Sequence, residues 1–532
     1  MTLHPKINKT KQRMMWFILV AWLLPALACN LPGLHKEPAE MTAKELRQTL
    51  AAQMAVLPTL STEIPPLSTK TPVVAPPVPP GTGLPTPGLA SAVPTPGGPP
   101  IGPYNYLAQD GDTLSAVARR FKVESDQILS PDPMPGAGFL TPGQPLTIPL
   151  SSAQMPATTA LFPDSEVINS PIALDFNTAQ FIKSTGGFLS TYEEVVNGQM
   201  MSGAEIIARV STESSVNPRL LLAFLEFRSG WVFGQPRNPA DLSHPLGFYV
   251  PNRSGLYQEM VMAATHTNIG YYGWRSGELG SLKYADGSTS RINPWLNPGS
   301  VAVQNLFAKF YKQKTWEPAL YGPKNFLELY RQYFGDPWER AAQVQPMFMP
   351  WMQQPELELP FAAGERWSLT GGPHTAWNTG SPRGALDFAP VTGEPACTTS
   401  RAWVTASAPG IVTRSNNSVV ALDLDGDGSE QTGWVIVYLH IVDTDRIPAG
   451  QQVQTNDHLG HPSCERGQST GTHVHIARKY NGEWLNADGP LPFILSGWQA
   501  KAGKLNYQGT LVKGDQQITA SPVGPRTSII VR

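Results

Sequence analysis

The sequence predicts a multidomain chain with a small βααβ module, a mainly α middle and an antiparallel all-β C-terminal domain. Three observations carry this. With 532 residues the chain exceeds what one core organises, since single cores stop growing near ~250 to 300 residues. Its 53 prolines and 48 glycines, against 15% charged residues, point to unpacked stretches between compact parts and away from a coiled coil or solenoid. The apolar pattern also changes along the chain, from three-to-four spacing between about 165 and 345 to short alternating or apolar runs beyond 359. Thirty-nine basic against 41 acidic residues leave a net charge of −2, which gives no field for nucleic acid or an anionic membrane surface and argues against nucleic acid as a partner.

The first residues carry Lys6, Lys9, Lys11 and Arg13 ahead of an apolar run from Met14 to Ala28. The run is shorter than the ~20 residues a spanning helix needs, so residues 1–28 read as a secretory signal peptide. Its end, Ala26-Leu27-Ala28-Cys29, resembles a bacterial lipoprotein lipobox, with Ala26 where that family usually has leucine. The resemblance implies an exported protein attached to the membrane through lipidated Cys29, on the outer face of the cytoplasmic membrane or in the cell envelope. Simple cleavage or an uncleaved anchor are the alternatives. Three cysteines in an exported chain leave one over; an acylated Cys29 accounts for it and frees Cys397 and Cys464 to pair, the alternative being two free thiols.

After an N-terminal segment, 29–57, residues 58–103 form a Pro-rich linker that cannot bury enough apolar surface to fold. Extended at ~3.1 Å per residue, it would span on the order of 100 Å. From 104 to 150 the character changes. Tyr106-Leu107 reads as a strand, Gly111-Asp112-Thr113-Leu114 as a turn with Asp112 or Thr113 capping a helix, and Leu114, Val117, Ala118 and Phe121 as that helix's apolar face. Val123 to Leu129 reads as a second short helix, and Leu140 to Pro149 as a turn and closing strand. The Gly-Asp-Thr-Leu and Gly-Gln-x-Leu-x-Ile-Pro signatures resemble a LysM domain. That resemblance implies binding to the N-acetylglucosamine-containing glycan of peptidoglycan or chitin.

Between 165 and 345 the segments Ala204–Val210, Pro218–Phe227, Ser254–Ile269, Gly299–Lys312 and Lys324–Phe334 read as helices, with Ser300 a candidate cap. The stretch from Val216 to Trp231 is similar to the first active-site helix of lysozyme-like transglycosylases, where a Glu-Ser pair ends the helix. Here the pair is Arg228-Ser229, and arginine cannot donate a proton at neutral pH. Glu226 lies two positions earlier, about 200° round the axis. The middle is therefore expected to be a helical, lysozyme-like domain without catalysis.

Six of the ten histidines fall between His374 and His475, where Ile411-Val412, Val419–Leu424, Trp434–His440 and His473–Arg478 read as antiparallel strands. In His473-Val474-His475 the two imidazoles lie two apart and project from one face of a strand. His374 and Asp387 flank a Gly-rich loop, Asn378 to Gly384, and with one imidazole of the pair they make three N/O ligands, the open count of a catalytic zinc site.

Gly371-Gly372-Pro373-His374, Ala385-Leu386-Asp387-Phe388, Tyr438-Leu439-His440 and Gly471-Thr472-His473-Val474-His475, in that order, resemble the lysostaphin-like (LytM-type, duplicated-hybrid-motif) zinc metallopeptidases. The thirteen-position spacing from His374 to Asp387 looks most like the staphylolysin and β-lytic branch. The resemblance covers residues 359–498, leaving 499–532 as a C-terminal extension. It implies that His374, Asp387 and His475 hold Zn2+ and that His440 and His473 are the catalytic pair; His458 and His461 match no motif position. Asp423-Leu424-Asp425-Gly426-Asp427-Gly428 looks like the start of a calcium loop, but Trp434 stands where an EF-hand has glutamate, and a hairpin turn explains the glycines as well. The function expected is a peptidoglycan-directed zinc endopeptidase cutting stem or cross-link peptides, with LysM on the glycan. The alternative is a non-catalytic wall-binding lipoprotein.

Overall fold

The computed structural model of the chain describes residues 103–149, 159–467, 469–524 and 526–532. The signal peptide, Cys29, the 29–57 segment and the Pro-rich linker up to residue 102 lie outside the described residues. Among the described residues no helix is long and apolar enough to cross a membrane.

The first module pairs strands β1 (Tyr104–Leu107) and β2 (Pro145–Ile148) antiparallel around helix α1 (Leu114–Phe121). Thr113 is the cap, its Oγ1 accepting from the Ala116 amide at 3.2 Å. Asp112 is instead buried, accepting from the Tyr106 hydroxyl at 2.6 Å and pairing with Arg120 at 2.7 Å. The expected second helix is a single 3-10 turn, Ser125–Gln127, because the chain straightens at Ile128 and Leu129 joins the sheet edge opposite Thr147.

The middle is helical, as its periodicity predicts. Its main helices are α2 (Gly203–Ser214), α3 (Pro218–Ser229), α4 (Leu256–Arg275), α5 (Pro298–Ala308) and α6 (Phe326–Phe334). α2 starts with a full capping box between Ser202 and Glu205. α3 starts with Asn217 accepting from the Arg219 amide and Pro218 in the first turn, where its missing N–H is not needed. Ser300 is not a cap: its hydroxyl accepts the amides of Leu161 and Phe162, fastening the chain's approach to the bundle. Two features weigh against glycan cleavage here. Glu226 accepts the amides of Val232 and Phe233 at 2.9 and 3.0 Å, closing the C-terminal turn of α3, and Arg228 donates to the Leu246 carbonyl while its guanidinium lies over Phe310.

The C-terminal domain is built on an antiparallel sheet of nine strands. Its principal strands are β3 (Arg366–His374), β4 (Ala385–Pro390), β5 (Gly410–Asn416), β6 (Val419–Asp423), β7 (Trp434–Leu439), β8 (Val474–Tyr480) and β9 (Ile529–Val531). In space they run β5-β6-β7-β8-β4-β3-β9, with Gln452–Val453 beyond β5 and Glu483–Trp484 on β8. The 499–532 segment is therefore not an appendage. β9 pairs with β3 through Ile530 and Trp367, and an antiparallel meander of Trp498–Ala502, Gly509–Lys513 and Gln516–Thr519 packs on the same domain. A boundary at 498 would cut through the first of these strands.

Alternation of side chains gives the sheet two buried faces. Leu386, Phe388, Val420, Leu422, Ile436, Tyr438, Val474 and Ile476 point into a core internal to the domain. Val419, Ala421, Val435, Val437, Leu439 and Ala477 point the other way and share one continuous apolar cluster with α2 to α6. The helical layer is thus the second cover of the sheet. Polar bonds cross at its margin: Lys479 Nζ donates to Thr212 O at 3.0 Å, Arg466 pairs with Glu213 at 2.6 Å, and the Tyr271 hydroxyl donates to Glu483 at 2.7 Å. Beneath, Arg414 and Lys479 converge on buried Glu430 at 2.6 and 3.2 Å. Burial opposes its ionisation, but the two cations outweigh that and hold the carboxyl at about 2.

Candidate metal centre

The register of three strands brings the ligand candidates together. His475 on β8 stands opposite Asp387 on β4 and opposite Leu439 on β7, and His374 ends β3 opposite Ala385. Cross-strand partners share a face, so Asp387 and His475 project to the same side. One ligand atom from each of His374, Asp387 and His475 lies within 4.8 Å of the others, and all three residues are buried. Asp387 Oδ1 stands 3.3 Å from both His374 Nε2 and His475 Nδ1.

The donor set fits a cation. His374 Nδ1 donates to Gly372 O at 2.9 Å and His475 Nε2 to Ala376 O at 3.0 Å; carbonyls only accept, so the other ring nitrogens carry lone pairs. Those two lone pairs face each other at 3.0 Å, and buried Asp387 Oδ1 beside them has no hydrogen-bond donor among the described residues. Three convergent acceptors out of water are unfavourable unless positive charge sits among them. Asp387 also favours positive charge beside it. Burial works against charge at both groups, yet their mutual attraction prevails, holding Asp387 well below the carboxylate range and drawing His374 upward. The carbonyl contacts fix the ring orientations as metal-bound histidines require.

His440 and His473 form a second tier, with ring centroids 4.4 Å apart. His440 follows β7 in a left-handed conformation, φ +69°, and its Nδ1 donates to Glu465 O at 2.8 Å. His473 precedes β8, and its Nδ1 donates to Gly471 O at 2.7 Å. Each therefore keeps Nε2 as an acceptor, that of His473 being 3.7 Å from Asp387 Oδ1. Burial first, and then His473, lower His440 to about 3, so it is neutral at neutral pH.

The patterns of the sequence thus meet in one site, whereas His458 and His461 sit apart against Trp403, the first stacked at 4.2 Å and the second tilted at 3.8 Å. Asp423, Asp425 and Asp427 also converge, but Asp423 accepts the amides of Asp425 and Gly428 and Asp427 the hydroxyl of Thr432, as in a closed hairpin turn. Cys397 and Cys464 are disulfide-bonded. One residue at the centre, Tyr507, went unread, and Gly371 was read only as part of a motif. Tyr507 stacks on His374 at 4.2 Å, and burial and then Asp387 push its phenol upward; a lone tyrosine in the 499–532 segment gives no periodic or motif signal. Gly371 faces Asp387 across β3 and β4, and a Cβ there would overlap Asp387 Oδ2.

Comparison with known proteins shows the family. A stretch of 161 residues is 31% identical to the β-lytic metalloendopeptidase of Lysobacter enzymogenes and covers 28% of this chain and 82% of that protein. The chain belongs to the lysostaphin-like (LytM-type) metallopeptidases of the β-lytic branch. The β-lytic metalloendopeptidase of Achromobacter lyticus is likewise 31% identical over 161 residues, and the chain spans 39% of its length. Protease LasA of Pseudomonas aeruginosa (strain UCBPP-PA14) is 24% identical over 320 residues, covering 57% of this chain and 72% of that protein. Ahead of the metallopeptidase domain, residues 106–149 match the LysM domain family. Residues 160–348 match the family of LasA N-terminal domains, which gives the helical middle a relative other than the lysozyme-like enzymes its α3 motif suggested.

Proposed function

We propose that the chain is an exported zinc endopeptidase that cuts peptide stems or cross-links of peptidoglycan, with its LysM module on the glycan and lipidated Cys29 as its membrane anchor. The observation that carries the peptidase reading is the convergence of His374 Nε2, His475 Nδ1 and donor-less Asp387 Oδ1 beneath the His440–His473 pair. These three side chains would hold the metal. When bound, zinc would supply water activated at neutral pH and polarise the scissile carbonyl.

The chain's own residues do the rest. Carbonyls behind His440 and His473 hold Nδ1–H of each ring and leave Nε2 to the site, so a neutral imidazole takes the water proton at Nε2 and, now an N–H donor there, steadies the oxyanion or passes that same proton to the leaving amine. Helices cover the apolar part of the sheet face next to the ligands, so substrate approaches from the loop side, past Tyr507, which is 52% exposed. An aromatic ring stacked on His374 at that opening both shields the ligand from water and gives the substrate a flat wall.

Metal content and turnover test the division of roles together. His475→Ala and Asp387→Ala are expected to lose both zinc and hydrolysis. His440→Ala and His473→Ala are expected to keep zinc while losing on the order of 10²-fold or more in rate. Stoichiometric zinc in either ligand variant, or zinc lost from either pair variant, contradicts the assignment. A chain that binds peptidoglycan but hydrolyses no peptide bond would be the wall-binding lipoprotein instead.

A further inference from the structure

We propose that the Cys397–Cys464 disulfide is a positioning device for the His440–His473 pair, acting on turnover and not on metal binding. The inference rests on the endopeptidase reading above and adds to it two residues outside the ligand and proton-transfer sets.

The two tiers of the centre are held differently. His374, Asp387 and His475 lie on sheet strands, where ladder bonds to neighbouring strands fix the backbone. His440 and His473 lie just beyond strand ends, so loops must hold them. His440 is gripped by one loop: the Ser463 amide and hydroxyl both donate to His440 O, at 2.8 and 3.0 Å, and Glu465 O accepts from its ring. Cys464 lies between those two gripping residues. A non-glycine residue at φ +69° has no intrinsic preference for that conformation, so its orientation depends on the grip.

The other half of the disulfide reaches the second imidazole. The Cys397 amide donates to Thr472 Oγ1 at 3.0 Å, and that hydroxyl donates to Thr398 O at 3.1 Å. Thr472 is the residue directly before His473, whose amide in turn donates to Ser463 O at 3.3 Å. The bond between Cys397 and Cys464 thus closes a ring of contacts through both loops, and both imidazoles are attached to it. Among the described residues no ligand side chain hydrogen-bonds to either cysteine loop: the carbonyls orienting His374 and His475 belong to Gly372 and Ala376.

The test compares the full chain with its Cys397→Ser/Cys464→Ser variant. Three quantities are read: zinc per chain, kcat and KM on peptidoglycan fragments, and the imidazole N–H resonances of 15N-histidine-labelled protein. The variant should keep its zinc and its KM, lose on the order of 10- to 100-fold in kcat, as a displacement of about 1 Å in catalytic groups does, and shift or broaden the Nδ1–H signals of His440 and His473 alone. Unchanged kcat and resonances, or loss of zinc, overturns the proposal. Should the double variant fail to fold, Thr472→Val keeps the disulfide and cuts its link to His473, and Thr472→Ser restores the hydroxyl. A kcat loss in the valine variant recovered in the serine variant supports the ring of contacts, and equal kcat in both overturns it. If the wild-type chain holds zinc yet cleaves nothing, the endopeptidase reading fails, while the resonances still decide whether the disulfide orients the pair.

Discussion

Asp387 occupies a space with no tolerance on its β3 side, because a Cβ at Gly371 would overlap Oδ2. Gly371→Ala is therefore expected to push the carboxylate off its position and weaken zinc on the order of 10- to 100-fold, measured by competition with a chelating dye; unchanged affinity would show that β3 yields instead. At this scale the proposed ligands were legible because His-x-His and the spaced His and Asp are local patterns with a chemical requirement behind them. Tyr507 was not, and Gly371 was legible only as part of a motif, since the reason for each lies in a neighbour brought close by strand pairing. Asp112 illustrates the same limit within one motif: sequence left it level with Thr113 as a cap, and packing against Tyr106 and Arg120 decided otherwise.

Among the elements, the β6–β7 connection carries the strongest electrostatic commitment. Glu430 neutralises Arg414 and Lys479 behind the sheet, and Lys479 also donates to Thr212 of α2. Its folded pKa, about 2, lies below the ordinary value of ~4.3, so the pair contributes stability above the ordinary value and loses it as pH falls from there through about 2. Glu430→Gln leaves two buried cations uncompensated and should cost on the order of 3–5 kcal/mol near neutral pH, with the gap to wild type closing as acid protonates the wild-type carboxyl. Denaturant unfolding at several pH values measures this, and a gap independent of pH would refute it. Helix existence was readable from three-to-four spacing: the segments expected for α2 and α3 fall inside the observed spans, and the one expected for α4 starts two residues early and stops six short. Their limits and short partners were not. The 3-10 turn at Ser125–Gln127 stops short because Leu129 joins the sheet edge opposite Thr147, a pairing no local window contains, whereas the hairpin Glu193–Val196/Gln199–Ser202 turns on Asn197-Gly198, φ +52° and +81°, a local signal that the helical reading passed over.

At the scale of the whole molecule, the helical middle and the peptidase sheet share a core. Val419, Ala421, Val435, Val437, Leu439 and Ala477 are apolar on the face that also carries the ligands, and the helices cover them. A chain beginning at residue 355 would bare that face, a contiguous patch of the kind that drives association. It should elute as oligomers or aggregate in size-exclusion chromatography, whereas a stable monomer would mean the sheet does not need its helical cover. The sequence shows why this was hidden. Continuous apolar strands such as Val419-Val420-Ala421-Leu422 announce burial on both sides but not which segment provides the second cover. The order of modules was legible from composition; their shared core was not, and neither was the incorporation of 499–532 into the sheet. The central claim is that this centre cuts peptide bonds of the cell wall, and mass spectrometry of purified peptidoglycan incubated with the full chain tests it most directly. New amino termini, absent when the metal is chelated or Asp387 is replaced by alanine, are the expected result; new sugar ends, or no new ends at all, would contradict it.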